Sequence, residues 1–177
     1  EVRTPNGTQA YGFGIRLIAN NQKSYIRNIW IEDCHIENVG HTGIKFTGSH
    51  PSMNISNIHV LGNKIAKTGG PGIQMSNVKF VHVASNEVTY SGSGDDSRKW
   101  GRGSGLWTWS ASNVLIEKNR FLYANGPGDS AGAHIDFNCD NIVIQYNFSA
   151  HNAGGFCEIL GNTNNCTYRY NISVNDG

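Results

Sequence analysis

One phrase returns six times along this chain, and in five of the six copies its seventh residue is asparagine. That repeat limits the fold more than any other feature. It reads Asn-Ile-Trp-Ile-Glu-Asp-Cys-His-Ile at 28–36 and Asn-Ile-His-Val-Leu-Gly-Asn-Lys-Ile at 57–65. It returns as Phe-Val-His-Val-Ala-Ser-Asn-Glu-Val at 80–88 and Asn-Val-Leu-Ile-Glu-Lys-Asn-Arg-Phe at 113–121. The last copies are Asn-Ile-Val-Ile-Gln-Tyr-Asn-Phe-Ser at 141–149 and Asn-Cys-Thr-Tyr-Arg-Tyr-Asn-Ile-Ser at 165–173. The seventh position is therefore Cys34, Asn63, Asn86, Asn119, Asn147 and Asn171. Each copy alternates apolar and polar residues, the period of a half-buried strand. A glycine-rich corner and a second short strand usually follow, as in Gly43-Ile44-Lys45-Phe46, Gly72-Ile73-Gln74-Met75 and Gly105-Leu106-Trp107-Thr108.

Composition points the same way. The 177 residues predict one domain and include 22 glycines and 22 asparagines, both unfavourable in long helices. The 17 isoleucines outnumber the 6 leucines, a β-branched bias that suits strands. Fourteen basic and 13 acidic residues leave a formal charge of +1, without the basic excess of a nucleic-acid or membrane-surface binder. No apolar run reaches membrane-spanning length, and no signal peptide is legible in the opening Glu1-Val2-Arg3. The four cysteines (Cys34, Cys139, Cys157 and Cys166) fit no zinc spacing and read as free buried thiols.

Strands that recur every 22 to 33 residues without helices between them describe a coil stacked on itself. The recurrent asparagine then forms a ladder whose amides bond the coils above and below, with Cys34 as a small substitute at its start. This pattern resembles the right-handed parallel β-helix, or pectin-lyase-like, superfamily over roughly residues 12–177. The fold expected is an all-β solenoid of about six coils. Residues 1–25 read as a partial first coil and 26–177 as the coils proper, with a loop insertion at 91–104. No closing cap is legible, so the chain reads as a segment of a longer helix.

Stacking turns sequence phase into spatial columns. Aligning the second strands on their inward isoleucines gives an outward column of Arg16, Lys45, Gln74, Trp107, Asp136 and Glu158. The next outward column is Ile18, Thr47, Ser76, Trp109, Asn138 and Leu160. Asp136 over Glu158, one coil apart, would place two carboxyls about 5 Å from each other, the separation of a retaining glycosidase pair. Two such charges would also drive one pKa upward, giving an acid beside an ionised nucleophile. The same pair read without catalysis is a solvated couple or a calcium site. Trp107 and Trp109 side by side suit the apolar face of a sugar ring, or pack beneath the inserted loop. Arg98 and Lys99 in that loop suit an acidic sugar, and His134 would flank Asp136. The histidines form no metal cluster.

The Asp and Glu one coil apart resemble β-helical glycoside hydrolases of the β-xylosidase kind, which implies Asp136 as nucleophile and Glu158 as acid/base. The polygalacturonase pattern is absent. The reading is a retaining glycoside hydrolase acting on a plant or algal polysaccharide or its oligosaccharides, extracellular or periplasmic, without cofactor. Its catalytic residues are Asp136 and Glu158, with Trp107, Trp109, His134, Asn138, Lys45, Gln74, Arg98 and Lys99 on the substrate. The alternatives are a calcium-assisted polysaccharide lyase and a non-catalytic carbohydrate-binding solenoid.

Overall fold

A computed structural model of the chain describes residues 12–92 and 102–177. The strands come in threes. The first coil has β1 (Ile15–Ile18), β2 (Ile26–Glu32) and β3 (His35–Val39), and the second β4 (Ile44–Thr47), β5 (Ile55–Leu61) and β6 (Lys64–Thr68). The third has β7 (Ile73–Ser76), β8 (Val78–Ala84) and β9 (Glu87–Ser91), and the fourth β10 (Leu106–Trp109), β11 (Ser112–Glu117) and β12 (Arg120–Leu122). The last two coils have β13 (Ala133–Ile135), β14 (Asp140–Gln145) and β15 (Phe148–Ala150), then β16 (Cys157–Ile159), β17 (Asn164–Arg169) and β18 (Ile172–Val174). Each coil gives one strand to each of three parallel six-stranded sheets, in the orders β1-β4-β7-β10-β13-β16, β2-β5-β8-β11-β14-β17 and β3-β6-β9-β12-β15-β18. The solenoid of about six coils is as expected from the repeat. Residues 1–11 of the partial first coil and 93–101 of the insertion lie outside the described residues.

The inner faces of the three sheets make one core. Ile44, Phe46, Ile58, Met75, Ile116 and Phe121 are inaccessible to solvent, which is what the alternation in each repeat provides. Sheets this narrow need sharp corners, and left-handed backbone supplies them. Between the second and third sheets the residue before each ladder position (Asp33, Gly62, Ser85, Lys118, Tyr146, Tyr170) has φ between +50° and +65°. That turn points the next side chain into the corner. Asn63, Asn86, Asn119 and Asn147 are buried there. Each Oδ1 accepts from the preceding rung: Asn86 N and Nδ2 both donate to Asn119 Oδ1 at 2.9 Å, and Asn119 N and Nδ2 to Asn147 Oδ1 at 2.8 and 3.0 Å. Each Nδ2 also donates to a strand carbonyl of the preceding coil, Asn119 to Val83 O and Asn147 to Ile116 O. At the start, Cys34 has no amide, but its backbone N–H still donates to Asn63 Oδ1. A second, shorter ladder of Asn152 over Asp176 closes the corner from the third sheet to the first, and the repeat phrase did not reveal it.

The first sheet corrects the sequence reading. Its register is set by glycine: Gly14, Gly43, Gly72 and Gly105 each lie so close to the next coil that a Cβ would meet the equivalent glycine's carbonyl oxygen at 2.6–2.7 Å. Gly132 occupies that place in the fifth coil, with Leu106 N donating to Gly132 O. Leu106 therefore pairs with Ala133, and Ala133 with Cys157, while Ile135 pairs with Ile159. Alignment on Ile135 shifts the fifth coil by two residues against both neighbours.

Replacing Asn147 by Leu would strip the acceptor from Asn119 N and Nδ2 in a buried corner. The expected loss is about 2–4 kcal/mol in chemical denaturation. Asn141→Gly, which removes an exposed side-chain bond to Asn113 and keeps the left-handed backbone, should cost less than about 1 kcal/mol.

Candidate active site on the outer face of the first sheet

The corrected register rebuilds the outward columns. The first is Arg16, Lys45, Gln74, Trp107, His134 and Glu158. The second runs Ile18, Thr47, Ser76 and Trp109, and continues into Asp136 and Leu160 through Asp136 N to Thr108 O and Leu160 N to Ile135 O. Glu158 thus lies beside His134, and Asp136 stands two residues further along its strand. The expected Asp136–Glu158 pair in one column is not present. Their Cα atoms are about 8 Å apart on the diagonal of neighbouring strands, so the retaining separation does not follow from the fold.

Outward residues of a sheet are ordinarily wet, yet the middle of this face is not. Gln74, Trp107, His134 and Asp136 are only 4, 3, 1 and 3% exposed. Trp107 corrects a second expectation, since it is buried rather than displayed beside Trp109, which is 40% exposed. The two rings meet edge to face at 6.1 Å. The Trp107 indole N–H donates to Asp136 Oδ2 at 2.5 Å, and the Phe137 backbone N–H donates to Oδ1 at 2.7 Å. Both carboxylate oxygens are therefore held, with the group turned towards the fourth coil. No cation among the described residues pairs with Asp136, so the indole and backbone dipoles carry its solvation.

His134 lies between Trp107 and Glu158. Its ring is 6.4 Å from the Trp107 ring, and Nε2 is 3.3 Å from Glu158 Oε2, an ion-pair distance without hydrogen-bond geometry. Glu158 is partly open, with its side chain 42% exposed. The loop into β13 carries a further carboxylate. Asp129 is exposed there, next to buried Ser130, whose Oγ accepts from Gly126 N at 2.7 Å and donates to Gly128 O at 2.8 Å. These bonds fix the loop that presents it.

The N-terminal end of the face is basic, as expected from Arg16 and Lys45. Both stack on Phe13, at 4.5 and 5.3 Å, and His41 packs against the same ring at 4.7 Å. Burial, then the charges of Lys45 and Arg16, lower His41 to a pKa of about 4, so it is neutral at pH 7. Burial and Arg16 also lower Lys45. Lys45 is three coils from Asp136, about 14 Å along the axis. Arg102 places its guanidinium 5.5 Å from the Trp107 ring. Asn138 does not join the site: Asp136 takes its place in the column, and Asn138 sits past the strand end with φ +62°. Arg98 and Lys99 lie outside the described residues.

The sequence reading names Asp136, Trp107, His134 and Glu158 for this face but gives them the wrong neighbours across coils. The glycine column was the signal that would have ordered them. Among the described residues no three His, Cys, Asp or Glu side chains gather as a metal site would need, and all four cysteines are free.

Solved structures with this architecture include the GH136 lacto-N-biosidase from Eubacterium ramulus. Its native form is 20% identical with a TM-score of 0.65 over 82% of this chain, and its selenomethionine derivative 23% identical with a TM-score of 0.67 over 85%. The chain spans only 27–28% of that protein's length, and the likeness shows a shared fold. No curated protein matches the sequence. A family model described as the right handed beta helix region matches residues 14–177, and the chain belongs to that family.

Proposed function

We propose that the protein is a glycoside hydrolase acting on a polysaccharide or its oligosaccharides, with Asp136 as the carboxylate at the reacting carbon. One observation carries the reading: a carboxylate on the outside of a solenoid is buried, held by an indole N–H and a backbone N–H, and paired with no cation among the described residues. A structural carboxylate on an outer sheet face gains nothing from such desolvation, whereas one that meets a developing oxocarbenium charge does. The fold shared with a lacto-N-biosidase supports a carbohydrate substrate.

Hydrolysis also needs a proton donor for the leaving oxygen. Glu158, beside His134 on the coil after Asp136, and Asp129, exposed on the loop into β13, are the two carboxylates assigned as candidates for that role. Water supplies the hydroxyl that ends on the anomeric carbon, and the donor's proton leaves with the departing alcohol. If Asp136 is the nucleophile, the anomeric configuration is retained; if it is the base on water, it is inverted. Trp109 offers its exposed ring to the sugar's apolar face. The mechanism calls on no metal or other cofactor. Such a substrate suits an extracellular or periplasmic protein. A lyase would instead need a base at the uronate α-carbon, and the cations Arg16 and Lys45 lie several coils from the carboxylates.

Asp136→Asn should lower kcat about 10³-fold or more with the melting temperature kept. Reducing ends should appear without the ultraviolet absorbance of an unsaturated uronate; that absorbance, or undiminished activity of the variant, would overturn the reading. A protein that binds glycans and releases nothing would be the non-catalytic solenoid.

Trp107→Phe, which removes the indole N–H from Asp136 and leaves a smaller ring, should lower kcat about tenfold. Trp109→Ala should instead raise KM about tenfold.

Glu158→Gln and Asp129→Asn identify the acid. The variant that loses natural substrates but keeps aryl glycosides with good leaving groups has lost the proton donor. Proton NMR of the first product released gives the anomeric configuration.

A further inference from the structure

Two buried polar side chains on the outer face of the first sheet have unmet hydrogen-bonding atoms. Among the described residues, Gln74 Oε1 has no donor and neither ring nitrogen of His134 has a hydrogen-bond partner. Their residues are 4 and 1% exposed. Buried polar atoms are almost always paired, and unpaired ones on both sides of one indole amount to a set of bonds awaiting a ligand. Gln74 and His134 flank Trp107 on either side in the same outward column.

The unmet atoms also specify the ligand's chemistry. Gln74 Oε1 only accepts, so the ligand must bring a donor. Nε2 of His134 faces Glu158 Oε2 at 3.3 Å, which leaves Nδ1, a donor or an acceptor according to the tautomer, for a ligand. A hydroxyl donates and accepts, and so meets both side chains. A carboxylate or sulfate only accepts; it would leave Gln74 Oε1 unmet. It would also enter a face that already carries Asp136 and Glu158. Trp107 supplies the apolar wall between the two polar groups.

We propose that Gln74, Trp107 and His134 form a subsite for an uncharged, hydroxyl-bearing sugar unit, and that Gln74 and His134 select it over a uronate. The inference rests on the proposed glycan substrate, and it names the class of sugar next to Asp136. Among the described residues, Arg102 over the Trp107 ring and Lys45 beside Gln74 in the outward column favour an anion. The test must therefore include one.

The experiment is isothermal titration of the Asp136→Asn protein with neutral oligosaccharides (xylo-, galacto- and acetamido-sugar series) and with oligogalacturonates of equal length. At least one neutral series should bind, and the uronates should bind about 30-fold more weakly or not at all. Gln74→Met and His134→Ala should each weaken neutral binding about tenfold, with His134→Asn restoring part of it. Thermal melts run in parallel show whether each variant is folded, and Gln74→Met, close in volume, keeps the test valid if His134→Ala is not. Equal or tighter uronate binding, no neutral binding at all, or neutral binding unchanged in both variants would overturn the proposal. Wild-type turnover is read separately. Neutral glycans bound through Gln74 and His134 but never cleaved would sink the hydrolase reading alone, and cleavage with binding indifferent to these residues would sink this one alone.

Discussion

The asparagine column at the corner between the second and third sheets is the interaction on which the rest of the structure depends. A solenoid has no loop of its own to close a corner, and each turn there buries backbone and side-chain amides together. Oδ1 of one rung takes two donors from the preceding coil, and Nδ2 returns to a strand carbonyl, so the corner is dry and nearly every amide is met. That condition fixes the vertical register of the coils. It permits variation elsewhere, and the chain varies most where the third sheet turns into the first, at the corner that leads onto the site.

Glycine does for the first sheet what asparagine does for the corner, by a different route. Gly105 against Gly132 leaves no room for a Cβ, and that contact decides which outward residues become neighbours across coils. The result is a row, Gln74–Trp107–His134–Glu158, with Asp136 beside it rather than in it. Trp107 joins the two columns because its indole N–H crosses the diagonal to Asp136. An outer face, normally the wettest part of a solenoid, thereby acquires a dry polar centre.

The fold was legible because the ladder position and the strand alternation are written in every repeat. Asn63, Asn86, Asn119, Asn147 and Asn171 occupy the one column their phase required. The site was half legible. Chemistry-bearing residues were visible, but a parallel strand shifted by two residues keeps the same alternation, so the inward pattern alone cannot tell Ile135 from Ala133 as the partner of Leu106. Only the close approach at glycine separates those registers. The burial of Trp107 was illegible for another reason: alternation says which way a side chain leaves the sheet, not what lies above it. The Asn152–Asp176 rung was missed because only two coils carry it.

The most direct measurement is a crystal structure of the Asp136→Asn protein with a bound neutral oligosaccharide. The account predicts one sugar unit against Trp107, its hydroxyls within hydrogen-bond distance of Gln74 and His134, and its anomeric carbon facing the side chain at position 136. A glycan seated on the second or third sheet, or one that leaves Gln74 and His134 unpaired, would contradict it.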